Sequence, residues 1–227
     1  IDIFTQNVEM SMKELSTLDD LMDLATGYLS TAWDKAVQAN NQTYGKSSLE
    51  ALKVEIDEIT KTMVDLANTE YNDNYIFGGA NTKILPYEQA ENGDIIYNGT
   101  PYDNKDYIRQ TEVADGVFEV INTTGDKVFG YYKSAVEPGN GVYTDANGKR
   151  VIESTDAQTG QKVYKYENGV EYTGDVADLT DGAEEEAVGV MGALRKLSNS
   201  LGTVVEGLEA GDDAMVQEGY AEMNSTL

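Results

Sequence analysis

The strongest constraint on this chain is a run at Ile1, Phe4, Val8, Ser11, Leu15, Leu18, Met22, Ala25, Leu29, Ala32, Ala36 and Ala39. The steps alternate three and four without a break, and only Ser11 is polar. Such a 3.5-residue period lays one apolar stripe along a single long α-helix. No proline interrupts it, and Gly27 is the only glycine before Gly45. A helix of about 40 residues would be about 60 Å long. The stripe narrows to alanine at its end, where a neighbour can approach closely. It is already in phase at Ile1 with no capping residue before it, so the natural helix is expected to begin upstream.

Asn40 to Gly45 reads as a turn, and Ser47 with Glu50 has capping-box spacing for a second helix. That helix carries Leu49, Leu52, Ile56, Ile59, Met63 and Leu66 on one face. Two long helices joined by a short loop must pack antiparallel. Glu55, Asp57, Glu58 and Lys61 fall off the stripe and read as a solvated face. Near the other end, Asp181 and Glu184 suggest a further capping box. A third stripe follows at Ala187, Val190, Leu194, Leu197, Leu201, Val204 and Leu208. Gly211 reads as a helix stop and Asp212 or Asp213 as the next cap. The last helix, with Val216, Tyr220, Met223 and Leu227 on one face, is in phase at the final residue and is also expected to continue.

Between the helices the period changes. Tyr75–Phe77 reads as a strand, with Gly78 and Gly79 at a turn and Ile84–Leu85 returning. Further strands are expected at Ile95–Tyr97, Tyr107–Glu112, Val117–Ile121, Lys127–Tyr132, Lys149–Glu153, Gln161–Tyr166 and Val170–Thr173. Turns at Asp145 to Gly148, Asp156 to Gly160 and Asn168-Gly169 favour an antiparallel meander. Twelve of the 15 tyrosines fall between Tyr71 and Tyr172, which suits half-buried sheet faces with wet hydroxyls.

Composition narrows the chemistry. The chain has no cysteine and no histidine. Thiol nucleophiles, disulfides, the usual neutral-pH base and the commonest metal ligands are therefore missing. A net charge of −25 repels phosphate backbones and argues against nucleic-acid binding. No run approaches the length of a membrane helix, so no membrane insertion is expected. Gly148-Lys149 is followed by Arg150, which breaks a phosphate-loop pattern, and Gly139-Asn-Gly141 lacks a dinucleotide loop's third glycine. An EF-hand framed on Gly148 would begin at Tyr143 and end at Ser154, so it fails. Glu184–Glu186 and Asp212–Asp213 complement helix N-termini, and Trp33 reads as a packing residue. No catalytic, cofactor-binding or metal-binding residue is assigned.

The most distinctive stretch is Leu66 to Tyr87, LANTEYNDNYIFGGANTKILPY, followed by IIYNG at Ile95–Gly99. Asn68-Thr69, Tyr75-Ile-Phe77-Gly78-Gly79, Thr82 and Pro86-Tyr87 resemble the signature of the flagellar hook-associated protein 3 family. These are the hook–filament junction proteins of the flagellin superfamily. Asp73, with a Phe-Gly-Gly segment after it, favours that family over the filament flagellins. The helical layout carries the resemblance over about 1–86 and 180–227; the middle matches no motif.

The resemblance implies a structural subunit of the bacterial flagellum, not an enzyme, with no cofactor. It implies a coiled-coil core, terminal helices that polymerise, and export by the flagellar type III apparatus to an extracellular site. Its implied partners are hook-associated protein 1, flagellin, copies of itself in a helical ring, and an export chaperone held through a terminus absent here. Without the polymerising ends, this piece is expected to be monomeric. The expected fold is α+β: an elongated antiparallel helical bundle or coiled-coil rod with a β-hairpin and an inserted antiparallel β-rich domain. The helical domain would comprise 1–88 and 178–227, and the insertion 89–177. Leu15, Leu52, Leu194 and Leu201 are expected to hold the rod. Asn68, Thr69, Tyr75, Phe77, Gly78 and Gly79 are the family-motif residues and candidate subunit contacts. A flagellin filament subunit, or a glycan-binding or catalytic module on the tyrosine-rich insertion, are the alternatives.

Overall fold

The computed structural model describes residues 2–41, 43–99, 110–121, 123–167 and 169–227. The chain opens with α1 (Asp2–Ala39) and α2 (Lys46–Ala67). There follow β1 (Glu70–Tyr71), β2 (Asn74–Tyr75), β3 (Tyr87–Gln89), β4 (Ile95–Tyr97), β5 (Gln110–Ala114) and β6 (Val117–Val120). After α3 (Gly125–Val128) come β7 (Tyr131–Lys133), β8 (Val142–Thr144), β9 (Arg150–Thr155), β10 (Lys162–Tyr166), β11 (Thr180–Asp181) and β12 (Glu186–Val188). The chain closes with α4 (Gly189–Ala210) and α5 (Asp213–Thr226). No described helix is long and apolar enough to cross a membrane.

The chain forms two compact units: Ile1–Tyr132 with Ala187–Leu227, and Lys133–Glu186. In the first, one sheet has the order β12-β7-β4-β3, and β1-β2 and β5-β6 are separate hairpins. In the second, β8, β9 and β10 are consecutive antiparallel neighbours, and β11 pairs with the outer side of β8. The α+β class and the antiparallel meander expected from the turns are both present. Segment 89–132 groups with the helices, because Tyr87, Ile95, Phe129 and Tyr132 share one core with Met191 and Leu194.

Two apolar clusters hold the first unit. One joins Leu21, Ala25 and Ala32 of α1 to Met63, Val64, Leu66 and Ala67 of α2 and to Met191 and Leu194. The other joins Ala36 and Ala39 to Leu49, Leu52 and Ile56, and to Leu197, Leu201, Val204, Tyr220 and Met223. The end of α1 thus meets the start of α2, as an antiparallel pair must. Alanine at 32, 36 and 39 lets that end sit close to its neighbours. Leu52, Leu194 and Leu201 are buried as the stripe requires. Leu15 is not: it is 44% exposed, with Ile3, Met10, Met12 and Leu24 also exposed. Of the stripe's described residues only Leu15 is exposed; Phe4, Val8 and Leu18 are half-buried and Ser11 is buried, and the other exposed apolar side chains lie beside the stripe.

The caps differ from those read in the sequence. Gly45, not Ser47, precedes α2, and no side chain caps it. Residues 180–181 and 186–188 are strands, so the third stripe becomes helical only from Gly189 and its first residue, Ala187, lies in β12. Gly211 closes α4 in the left-handed conformation, and Asp212 caps α5 by accepting from the Ala214 and Met215 amides. Lys127–Val128 is part of α3, and Val170–Thr173 makes only an isolated bridge, Lys165 to Glu171. The Tyr107–Glu112 strand is found from Gln110, and its first residues, like Asn168, lie outside the described residues.

The face assigned to solvent carries interhelical pairs. Lys35 of α1 binds Glu55 of α2 at 2.5 Å. Asp57 binds Lys53 at 2.7 Å, receives the Ser198 hydroxyl and lies 3.6 Å from the Arg195 guanidinium. Leu52→Ala, which opens a cavity between α2 and its partners, should cost about 2–5 kcal/mol. Leu15→Ala should cost under about 1 kcal/mol. Urea denaturation of both variants measures the difference.

Candidate functional site

The candidate site is the junction where α2 hands the chain to the sheet. At the end of α2, Asn68 shares its backbone N–H between the Val64 and Asp65 carbonyls. Its side chain then acts as a strand partner. The Asn68 Nδ2 donates to the Tyr87 carbonyl at 2.9 Å, and the Tyr87 N–H donates to Asn68 Oδ1 at 2.8 Å. Only a carboxamide offers a donor and an acceptor side by side in this way. The Thr69 hydroxyl closes the helix on the Leu66 carbonyl at 2.8 Å.

The hairpin is one step earlier than the sequence suggests. It pairs Glu70 with Tyr75 and Tyr71 with Asn74, and its turn is Asn72-Asp73. Both turn residues have positive φ, 51° and 58°, the conformation two-residue hairpins favour and Asn and Asp tolerate. Ile84 and Leu85, expected on a return strand, are exposed. Tyr75 is half-buried, and its hydrogen bond to Glu70 raises its pKa. Phe77, Gly78 and Gly79 are all buried.

Phe77 is the centre of an aromatic group. Its ring meets Phe129 edge-on at 4.9 Å, and Phe129 meets Tyr87 edge-on at 6.2 Å. Tyr87 and Tyr97, paired across β3 and β4, have ring centres 5.1 Å apart. The hydroxyls are used internally: Tyr87 donates to the Gly130 carbonyl and Tyr97 to the Phe77 carbonyl, each at 2.8 Å. Burial pushes both tyrosine pKa values up, and the nearby Asp126 adds to it. The Phe77 carbonyl also accepts from the Gly125 N–H at 2.9 Å. A Cβ on Gly125 would stand 2.6 Å from the Tyr87 ring and 2.8 Å from the Tyr97 ring. Glycine there lets two rings lie on the backbone.

The motif residues are therefore brought together, but as a packed joint. Phe77 faces the core. Thr124 to Gly130 and the start of α4 complete the joint, with the Met191 N–H bonded to the Phe129 carbonyl at 2.8 Å. The sequence marks Tyr87 and Tyr97 through Pro86-Tyr87 and IIYNG, but nothing local marks Thr124 to Gly130 as their partner.

The second unit holds the other candidate, the tyrosine-rich sheet. Glu153 on β9 accepts from Tyr143 and Tyr164, at 3.2 and 2.9 Å, and binds Lys162 at 2.8 Å. Asp145 accepts from the Asn147 and Lys149 amides, both at 2.8 Å, and from the Tyr166 hydroxyl at 3.0 Å. Lys162 above all holds the Glu153 pKa down, and the Lys149 amide does so for Asp145. These hydroxyls are engaged with the sheet's own carboxylates. Arg150 is buried and joins both ends of the unit. It binds Glu186 at 3.0 Å and donates to the carbonyls of Ser134 and Glu184, at 2.9 and 2.7 Å.

Asn68→Ala would strip the partners from both polar groups of the Tyr87 backbone and should cost about 2–4 kcal/mol. Asn68→Asp keeps the acceptor and should lose less, and denaturant titration ranks the two. A second expectation concerns pH. A carboxylate whose folded pKa is depressed adds stability above its unfolded value and loses it as pH falls through the folded one. The melting temperature of the parent chain should exceed that of the variant carrying Asp145→Asn and Glu153→Gln at neutral pH. The gap should close as pH falls below about 4, and calorimetry over that range measures it.

No protein-family model matches the chain. Flagellar hook-associated protein 3 of Salmonella typhimurium is 29% identical over 127 residues, 56% of this chain and 38% of that protein. The match thus spans well under half of the relative's length. Among solved structures, FlgL of Xanthomonas campestris has a TM-score of 0.57 at 16% identity, covering 98% of this chain and 86% of that one. The hook-associated protein-3 of Legionella pneumophila gives 0.58 at 16% identity, covering 99% and 85%. A second structure of FlgL from that organism is described as the flagellar junction protein. The chain therefore has the fold of the FlgL proteins, and over just over half its length its sequence is similar to flagellar hook-associated protein 3, as its junction motif indicates.

Proposed function

We propose that the chain is a structural subunit of the bacterial flagellum, forming the junction between hook and filament by helical self-assembly. The observation that carries this reading is the coincidence of a sequence match to a hook-associated protein 3 with a fold shared across nearly the whole chain with FlgL. On this reading its neighbours are hook-associated protein 1, flagellin and its own copies. It is exported through the flagellar apparatus, with a chaperone, to the cell exterior. Its work is mechanical, not enzymatic.

The geometry suits that work. A load along α1 and α2 passes into the sheet through the Asn68 clamp and the aromatic group around Phe77, where burial leaves little room to shift. The half-exposed Tyr75 and the exposed Asn72-Asp73 turn remain available for contact with a neighbour, whereas Phe77, Gly78 and Gly79 support them from within. The exposed apolar side chains of α1, Leu15 with Ile3, Met10, Met12 and Leu24, supply surface for assembly.

In the source organism, Leu15→Glu with Leu24→Glu should leave the melting temperature within about 4 °C of the parent while filament attachment and motility are lost. Normal filaments on that variant would remove Leu15 and Leu24 from the assembly surface. Electron microscopy of the tagged parent protein should show label at the hook–filament junction alone. Label along the filament would make it a filament subunit instead.

A further inference from the structure

Five Asn-Gly steps occur in the chain: Asn92-Gly93, Asn98-Gly99, Asn140-Gly141, Asn147-Gly148 and Asn168-Gly169. Such a step can react with itself. The glycine amide nitrogen, unshielded by any side chain, attacks the asparagine Cγ. A nitrogen–Cγ bond forms, the Cγ–Nδ2 bond breaks and ammonia leaves with the amide proton, closing a succinimide. Water then opens the ring at either carbonyl, giving aspartate or the backbone-extended isoaspartate. Nothing is oxidised or reduced, and one water is consumed for each ammonia released. The reaction needs a carboxamide free to turn and an amide nitrogen free to be attacked, so hydrogen bonds to either group oppose it.

The structure separates the described steps on that criterion. At Asn92-Gly93, Asn92 Oδ1 accepts from the Asp94 amide at 3.0 Å, and the Gly93 N–H donates to the Ala90 carbonyl at 2.9 Å. At Asn147-Gly148, the attacking group is engaged, since the Gly148 N–H donates to the Asp145 carbonyl at 3.0 Å. At Asn140-Gly141, the carboxamide donates to the Glu137 carbonyl at 3.0 Å. At Asn98-Gly99, Asn98 is exposed, and among the described residues its carboxamide and the Gly99 N–H make no hydrogen bond. The Asn98 backbone N–H is bonded to the Pro86 carbonyl at 2.7 Å, which holds the residue without engaging either reacting group. Asn168 lies outside the described residues.

We propose that Asn98-Gly99 is a site of spontaneous succinimide formation in the folded protein, yielding aspartate and isoaspartate at position 98. The glycine that makes the step reactive is required by the joint. A Cβ on Gly99 would stand 2.3 Å from the Tyr97 hydroxyl, the group that donates to the Phe77 carbonyl. No side chain fits there, so the nitrogen stays open to reaction. The extra methylene of an isoaspartate enters the backbone beside Tyr97, so modification acts on the aromatic joint itself.

The test is a time course of the intact chain in mildly alkaline buffer, followed by digestion and mass spectrometry that resolves aspartate from isoaspartate. Position 98 should be modified at least about tenfold faster than Asn92 and Asn147 in the folded chain, and the three rates should converge in urea. Asn98→Gln should remove the fastest product while leaving the melting temperature unchanged. The proposal is overturned if Asn92 or Asn147 keeps pace with Asn98 in the folded chain. It is overturned equally if Asn98 stays intact over a period in which it reacts in urea.

Discussion

The apolar contact between α2 and α4 underlies the rest of the first unit. Leu49, Leu52, Ile56 and Met63 face Leu194, Leu197, Leu201 and Val204 across a sequence separation spanning all the strands. At about 1.5–3 kcal/mol for each buried aliphatic side chain, these residues outweigh any single polar contact in the molecule. They also bring α4 back so that Met191 closes on Phe129, which completes the joint. The polar set at Asp57, with Lys53, Arg195 and Ser198, then fixes which faces meet.

The joint shows how a short motif can be structural throughout. Asn68 supplies a side-chain amide where the helix has no further backbone to offer, and Tyr87 begins the sheet against it. Phe77 packs its ring inward while its carbonyl takes two donors. The polar groups of Asn68, Tyr87 and Tyr97 are answered from other parts of the chain, while the Thr124 hydroxyl is buried without a hydrogen-bond partner among the described residues. Packed rings whose hydroxyls are bonded internally make the joint resist local opening.

Charge enters differently in the two units. With 41 acidic and 16 basic side chains, the few cations are valuable, and several sit where they neutralise a particular carboxylate. Arg150 is the clearest case. Its guanidinium is buried, yet Glu186 and the carbonyls of Ser134 and Glu184 receive its protons. The arrangement offsets the desolvation of the ion and ties the first residues of the unit to its last. Tyr143, Tyr164 and Tyr166 spend their hydroxyls on Glu153 and Asp145 in the same economy of internal partners.

The amphipathic period, by itself, determined the helices, since 3.5- and 3.6-residue spacing is local and survives any environment. It placed Leu52, Leu194 and Leu201 inside, and local turn chemistry placed Gly211, Asp212 and the strand at Ile95–Tyr97. Tertiary structure decided everything that depends on a distant partner. Leu15 satisfies the heptad as well as Leu18 does, but among the described residues it stays 44% exposed. Asp181 and Glu184 fit a capping box, yet Thr180 and Asp181 pair with β8 and Glu186–Val188 form a strand before α4 begins. Asn72 and Asp73 make the turn of the β1–β2 hairpin, while Gly78 and Gly79 open a second turn, closed by the Asn81 N–H on the Gly78 carbonyl, that sits with Phe77 in the core. A sequence pattern states which face of an element is apolar. Whether that face is buried depends on another part of the chain arriving to cover it, and that is settled only when the whole chain has packed.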